Sequence, residues 1–278
     1  MRARRAALPV LAVGLGLCAL AAGLRAAGYQ AAPALGALWG GALGSWYAVT
    51  SATLVHAVPL ILIGLGIALA FRGGALNIGA EGQFYAGAIA ATWIGLHVAG
   101  RPAPLALVAL CLAAALAGAA WVAVPIWLKL RFGVLEVIST LLLNFVAEAL
   151  VSLVVQGPLQ EHQHIYPQSD PIAGSARLPV LPGTRLHAGF LLALAGGLVL
   201  WYVFTRTLWG FRLRAVGAGP RAAEISGRID SARVAAAALL WSGAIAGLAG
   251  GVEVSGVSYA LFQNLSVDLS ELIHRETP

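Results

Sequence analysis

Between Phe71 and Gln83 the chain reads Phe-Arg-Gly-Gly-Ala-Leu-Asn-Ile-Gly-Ala-Glu-Gly-Gln, which sets Asn77, Glu81 and Gln83 among Gly73, Gly74, Gly79 and Gly82. Two amides and a carboxylate so close together can hold a polar ligand through hydrogen bonds. Each glycine costs an uninterrupted helix about 1 kcal/mol relative to alanine, so the run predicts a broken element. Broken helices at membrane depth expose backbone and polar side chains to a solute cavity. A plain cytoplasmic turn, with Glu81 solvated or paired with Arg72, is the competing reading.

A second polar line is Glu136, Thr140, Asn144 and Glu148, with Ser139 beside it. Residues four apart share a helical face, and a drift of about 40° per step keeps the line within a third of the circumference. An ionisable group at membrane depth costs about 2.5–3.5 kcal/mol on insertion scales, so the line must face other helices or water. It either lines a pathway or ties helices together by hydrogen bonds. Glu253 is a single further acid in an apolar run.

The third segment, Leu208 to Gly227, offers a docking surface. Pro220 suits a first helical position, Gly219 the cap before it and Gly227 the stop after it. The interior Arg221–Ser226 makes two turns, too short to be stable alone, and a short presented helix suits a partner's groove. A basic loop resting on anionic lipid is the alternative.

Catalysis has no constellation to stand on. A phosphate-binding loop needs Gly-Lys-Ser/Thr, and Lys129, the sole lysine, lies between Leu128 and Leu130. No His-Glu-x-x-His motif occurs. Ser242 lacks the flanking glycine and paired histidine of an intramembrane protease. Cys18 and Cys111 lie in apolar runs, which gives neither a disulfide framework nor a metal cluster. His56 and His97 read as packed or interfacial residues.

The elements that must position these groups are membrane helices. Of 278 residues 60% are hydrophobic and 10% charged, against about 25% charged in soluble domains. Arg25 to Arg72 and Arg101 to Lys129 enclose stretches without any charge, and a span needs roughly 20 mostly apolar residues. Seven spans are expected: Ala7–Leu24, Thr53–Phe71, Phe84–Val98, Pro104–Leu128, Val137–Val155, Ala188–Phe204 and Val234–Gly256. The fold class is all-α, a polytopic transmembrane bundle forming a single domain over 1–278. Lys and Arg stay cytoplasmic, and an inside N-terminus places 12 of the 17 there. The net charge of +6 is accounted for by topology, with no call for nucleic acid. The arginine-led N-terminus reads as an uncleaved first helix rather than a signal peptide. Residues 156–187, with Pro158, Pro167, Pro171, Pro179 and Pro182, form an extracytoplasmic loop read as an extended cap. Residues 205–233 form a cytoplasmic loop, and 258–278 a polar tail. Gly243, Gly247 and Gly251, and likewise Gly36, Gly40 and Gly44, repeat at packing intervals.

Three motifs in order carry a family resemblance: Asn77-Ile-Gly-Ala-Glu-Gly-Gln83; Glu136-Val-Ile-Ser-Thr140 with Leu143-Asn144; and Arg214-Ala-Val-Gly217 with Pro220, Ala222-Ala223 and Gly227. Over roughly Gly44 to Asp268 the chain resembles permease subunits of ATP-binding-cassette importers of the branched-chain amino acid, simple-sugar and nucleoside class, the nucleoside type above all. The resemblance implies a coupling helix at Gly217–Gly227, with Gly217, Gly219, Pro220, Arg221, Ala222, Ala223, Glu224 and Gly227 contacting an ATPase subunit. It sets Asn77, Glu81, Gln83, Glu136, Ser139, Thr140 and Asn144 near the translocation path. It further implies a sister permease, an extracytoplasmic binding protein or lipoprotein, a small polar solute, and a bacterial inner membrane. ATP and Mg would be held by the ATPase, with no cofactor on this chain. Ala218-Gly219 replaces the family's Asn-rich run. Family members continue into further spans where this chain ends in Leu269–Pro278, which reads as truncation. An ion-coupled carrier and an inactive truncated permease are the alternatives.

Overall fold

The computed structural model describes residues 2–227 and 229–263. Eleven α-helices are present among them: α1 Arg2–Ala26, α2 Ala31–Leu43, α3 Trp46–Ala48, α4 Leu54–Arg72, α5 Ala80–His97, α6 Ala103–Phe132, α7 Glu136–Val155, α8 Gly189–Arg206, α9 Leu208–Ala218, α10 Pro220–Gly227 and α11 Ser231–Glu253. π-helical turns lead into α4 (Val49–Thr53) and out of α11 (Val254–Ser258). Five helical stretches are long and apolar enough to cross a membrane: Trp46–Arg72, Ala103–Phe132, Glu136–Val155, Gly189–Arg206 and Ser231–Ser258. The chain is an all-α, multi-pass membrane protein.

Local signals set the helix ends. Asp230 caps α11 by accepting from the Arg233 N–H at 2.9 Å. Gly133, in the left-handed region at φ 71°, closes α6. Pro102 precedes the first turn of α6, where a proline needs no hydrogen-bonded N–H.

The expected span at Phe84–Val98 is α5, which begins earlier, at Ala80. Its polar first turn, with Glu81 and Gln83, dilutes its apolarity, and it is not among the five. It is nonetheless interior, with buried residues from Ala80 to Gly95. The first expected span falls on α1, whose apolar part runs Leu11–Ala26.

Two compact units are present, residues 1–54 with 183–185, and 55–182 with 186–278. In the first, Thr53 donates to the Ala42 carbonyl at 2.7 Å and the Arg185 N–H to Ser51 Oγ at 3.0 Å. The packing role read for Gly36 and Gly40 does not hold, because a Cβ at either would meet nothing within 4 Å.

The second unit is built on α5, α6 and α11, and there the glycine stripe is a contact surface. A Cβ at Gly247 would lie 2.3 Å from the Ala114 carbonyl oxygen, one at Gly118 2.3 Å from that of Gly243, and one at Gly87 2.1 Å from that of Gly247. Backbones approach this closely in lipid only through small residues.

The proline-rich loop is pinned to the far ends of α5 and α11. Ser169 N–H donates to the Leu261 carbonyl (2.9 Å), Ile172 to Tyr259 (2.8 Å), Leu178 to Ser255 (2.8 Å) and Ala173 to Gly95 (3.0 Å). Glu161 accepts from Gln168 Nε2 at 2.6 Å and from the Tyr166 N–H at 2.8 Å. His187 is buried against Gly189 and Gly256, either of whose Cβ would fall 2.6 Å from its Nδ1. Burial, with His56 adding to it, lowers its pKa to about 4. The segment 264–278, most of the expected polar tail, lies outside the described residues.

Candidate functional site

Helix α4 ends at Arg72, and the chain then runs non-helically to Ala80. Gly74, at φ 76°, takes a left-handed turn that a residue with a Cβ rarely adopts. Beyond it Asn77 forms a saturated knot. Its Nδ2 donates to Gln83 Oε1 and to Ser242 Oγ, both at 2.8 Å, and its Oδ1 accepts from Gln83 Nε2 at 2.9 Å and the Gly79 N–H at 3.2 Å. Asn77, Gln83 and Ser242 are all buried. With its donors and acceptor engaged, Asn77 fastens the broken segment to α5 and α11.

From α7, Asn144 grips the same segment twice. Its Oδ1 accepts from the Gly82 N–H at 2.9 Å, and its Nδ2 donates to the Ile78 carbonyl at 3.2 Å. Glu136, at the first turn of α7, pairs with Lys129 Nζ at 2.7 Å. Ser139 and Thr140 are buried and return their hydroxyls to carbonyls of Leu135, Glu136 and Val137. A Cβ at Gly79 would lie 2.6 Å from the Thr140 carbonyl oxygen, so α7 crosses here only over a glycine.

The polar line of α7 therefore turns as it rises. Glu136 and Thr140 are buried, Asn144 is half-buried and Glu148 is exposed, as the drift of four-residue steps requires. Glu81 is also exposed and takes the Tyr85 hydroxyl at 3.4 Å. It does not pair with Arg72, whose guanidinium stands 5.7 Å over the Phe204 ring.

Sequence reasoning missed three participants. Ser242 was weighed only as a nucleophile, although a hydroxyl in an apolar span signals a hydrogen-bond partner. Lys129 was weighed only for phosphate binding. Trp121, whose buried Nε1 has no partner among the described residues, lies where a Cβ at Gly82 would come within 3.0 Å of it.

The second surface is the α9–α10 hairpin. Thr207 caps α9 by accepting from the Gly210 N–H at 3.0 Å. Gly219 joins the two helices, donating back to Ala215 at 3.1 Å and accepting from the Ala223 N–H at 3.0 Å. Its backbone is extended, a conformation open to any residue, so the cap does not depend on glycine. Helix α10 runs Pro220–Gly227, within a residue of expectation at either end. Ala223 is buried, while Arg221, Ala222 and Glu224 are exposed and Ile225 is 85% exposed. Glu224 accepts from the Ser231 hydroxyl. Gly217 packs on the start of the broken segment, where its Cβ would fall 2.5 Å from the Arg72 carbonyl oxygen.

Membrane-length helices gathered round a broken, polar-lined element define a transport protein of the multi-pass kind. Residues 49–273 match the family described as branched-chain amino acid transport system / permease component, and the chain belongs to that family. It is 38% identical over 253 residues to the guanosine ABC transporter permease protein of Bacillus subtilis, covering 90% of this chain and 72% of that one. It is 38% identical over 262 residues to the glucose ABC transporter permease protein of Haloferax volcanii, covering 89% and 67%. With the nucleoside ABC transporter permease protein of Lactococcus lactis identity is 29% over 280 residues, covering 96% and 76%. No solved structure matches the chain. The family is a permease component, and its members are not themselves catalytic.

Proposed function

We propose that this chain is the membrane-spanning subunit of an ATP-driven importer in a bacterial inner membrane, moving a small polar solute inward by alternating access. The observation that carries it is α10: an eight-residue helix, joined through Gly219 to α9 and followed by the span that holds α11, on the arginine-rich side, with Ile225 standing clear. An ATPase subunit holding ATP and Mg would dock there through Pro220, Arg221, Ala222, Glu224 and Ile225. Gly217, Gly219, Ala223 and Gly227 would shape the surface. The exposed carboxylates Glu81 and Glu148, with half-buried Asn144, cannot rest against lipid at such cost. That face would line the path against a sister permease, while Asn77, Gln83, Glu136, Ser139 and Thr140 hold it in place from within. A binding protein would deliver the solute at the capped outer end. Relatives named for guanosine, nucleoside and glucose support a nucleoside or a sugar, which share hydroxyl-rich surfaces such a face can bind.

The test is Ile225→Asp with affinity capture of the co-expressed ATPase. Loss of capture with unchanged membrane abundance supports docking at α10, and undiminished capture refutes it. Uptake of guanosine or glucose into vesicles without ATP or partner subunits would instead establish an ion-coupled carrier.

A further inference from the structure

The helices on either side of α10, α9 and α11, hold the broken segment from two sides. On the α9 side, a Cβ at Gly217 would meet the Arg72 carbonyl oxygen at 2.5 Å, and one at Gly73 the Leu213 side chain at 2.9 Å. On the α11 side, the same Gly73 Cβ would meet Ala238 at 2.5 Å, and Ser242 accepts from Asn77 one turn further on. Past Asn77 the segment is bonded to the polar face, Ile78 and Gly82 both to Asn144. A cavity of about 30 Å³ borders the grip, walled by Ala75, Ile126, Lys129, Ala232, Ala235 and Leu239. Its walls are almost wholly apolar.

We propose that Gly73–Gly79 is the transmission element between the docking helix and the Glu81–Asn144–Glu148 face, with Ser242 and Gly73 as its positioning residues. This rests on the importer reading above. Displacement of α10 moves α9 and α11 together. The segment, wedged between them without side chains to yield at Gly73, carries that motion to Asn144 and so reorients the first turn of α5. Energetic coupling of this kind needs a contiguous packed route whose arrangement both ends bias.

The experiment uses the full chain assembled with its ATPase and sister subunits in proteoliposomes. Cys18→Ser and Cys111→Ser clear the background, and Glu148→Cys reports through its rate of reaction with a membrane-impermeant maleimide. In this parent, ATP with vanadate is expected to change the rate by about fivefold or more, the lower end of usual allosteric coupling. Ser242→Ala removes the Asn77 acceptor on the α11 side, and Gly73→Ala wedges a methyl into both sides. In each, the ATPase is expected to co-purify as in the parent while the response falls below about twofold. A purely structural role would not erase a nucleotide response in an assembled complex. A full response in either assembled variant overturns the proposal, as does loss of the ATPase in both, which would make the segment part of the docking site. A parent without any response refutes the importer reading itself, and the transmission element falls with it.

Discussion

Asn77→Ala is the sharpest probe of the knot at the broken segment. The substitution leaves Gln83 Oε1, Gln83 Nε2, the Gly79 N–H and Ser242 Oγ without their partner, in a place where Gln83 is 1% exposed. A buried polar group left unpaired costs about 1–3 kcal/mol. Water entering the vacated amide space recovers part of that, so the expected loss is about 3 kcal/mol for the four groups together. Replacing both partners by apolar groups approaches neutrality, hence Asn77→Ala with Gln83→Leu should lose only about half as much. The assay is reversible denaturant unfolding of the purified chain in mild detergent micelles, completed as a double-mutant cycle. A loss below about 1 kcal/mol for Asn77→Ala, or a double variant weaker than the single one, would refute the assignment of Asn77 as a fastener.

Other expectations follow from neighbouring contacts. Gly256→Ala drives a methyl to 2.6 Å from His187 Nδ1, an overpacking worth about 1–3 kcal/mol, and protease should then cut the 156–187 loop faster. Lys129→Met deprives Glu136 of its ion pair; with Lys129 39% exposed in its side chain the loss is about 1 kcal/mol, and Glu136→Gln should restore most of it in thermal unfolding. Acid should loosen the outer loop in two stages. His187, held near 4 against 6.5 unfolded, contributes stability that is complete above pH 6.5 and is lost as pH falls toward 4. Glu161 is held low by Gln168 and the Tyr166 N–H; Asp170, despite partial desolvation, is held low by His162. Their contribution is present above the ordinary carboxylate range and disappears below it. Hydrogen exchange across residues 161–170 as a function of pH checks both stages, and the first should vanish in His187→Phe.

The helices were legible because their cause is local. Long uncharged runs demand an apolar solvent, and a residue such as Pro220 marks a helix start by chemistry that any window of sequence displays. Position within the bundle was not local. Helix α5 is interior because α11 meets it closely through glycines, Gly247 at Gly87 and Gly250 at Phe84, and nothing in its own polar first turn announces that. The two glycine stripes look alike in sequence, yet a Cβ at Gly247 would strike Ala114 while one at Gly36 or Gly40 would meet nothing within 4 Å among the described residues. The difference lies in what stands opposite. The candidate site divides in the same way. Asn77, Gln83 and Asn144 were visible as polar groups in apolar surroundings, whereas the identity of their partners depended on Ser242, distant in sequence and ordinary in type.

Membrane depth explains why those residue types are there at all. Ser242 stands eleven residues into α11 and Asn144 eight residues into α7, about 16 and 12 Å from the respective helix starts at 1.5 Å per residue. The segment bonded to both therefore runs non-helically well inside the level of the helix ends. Backbone that leaves the helix at such depth has no water to turn to and must find partners within the protein. Ala75 N–H returns to the Ala70 carbonyl at 3.0 Å, Gly79 N–H goes to Asn77, and the Ile78 carbonyl and Gly82 N–H go to Asn144. Two side chains thus close three of these four backbone groups. The amides are required by the break, and the break in turn begins α5 beneath the surface, where Glu81 stands beside the Asn144 face. A leucine at Asn144 would leave one donor and one acceptor of the main chain unpaired in apolar surroundings, so the segment could recover only by rewinding or by drawing water to that depth. Either outcome moves Glu81, which ties the placement of the exposed carboxylate to an amide on a different helix.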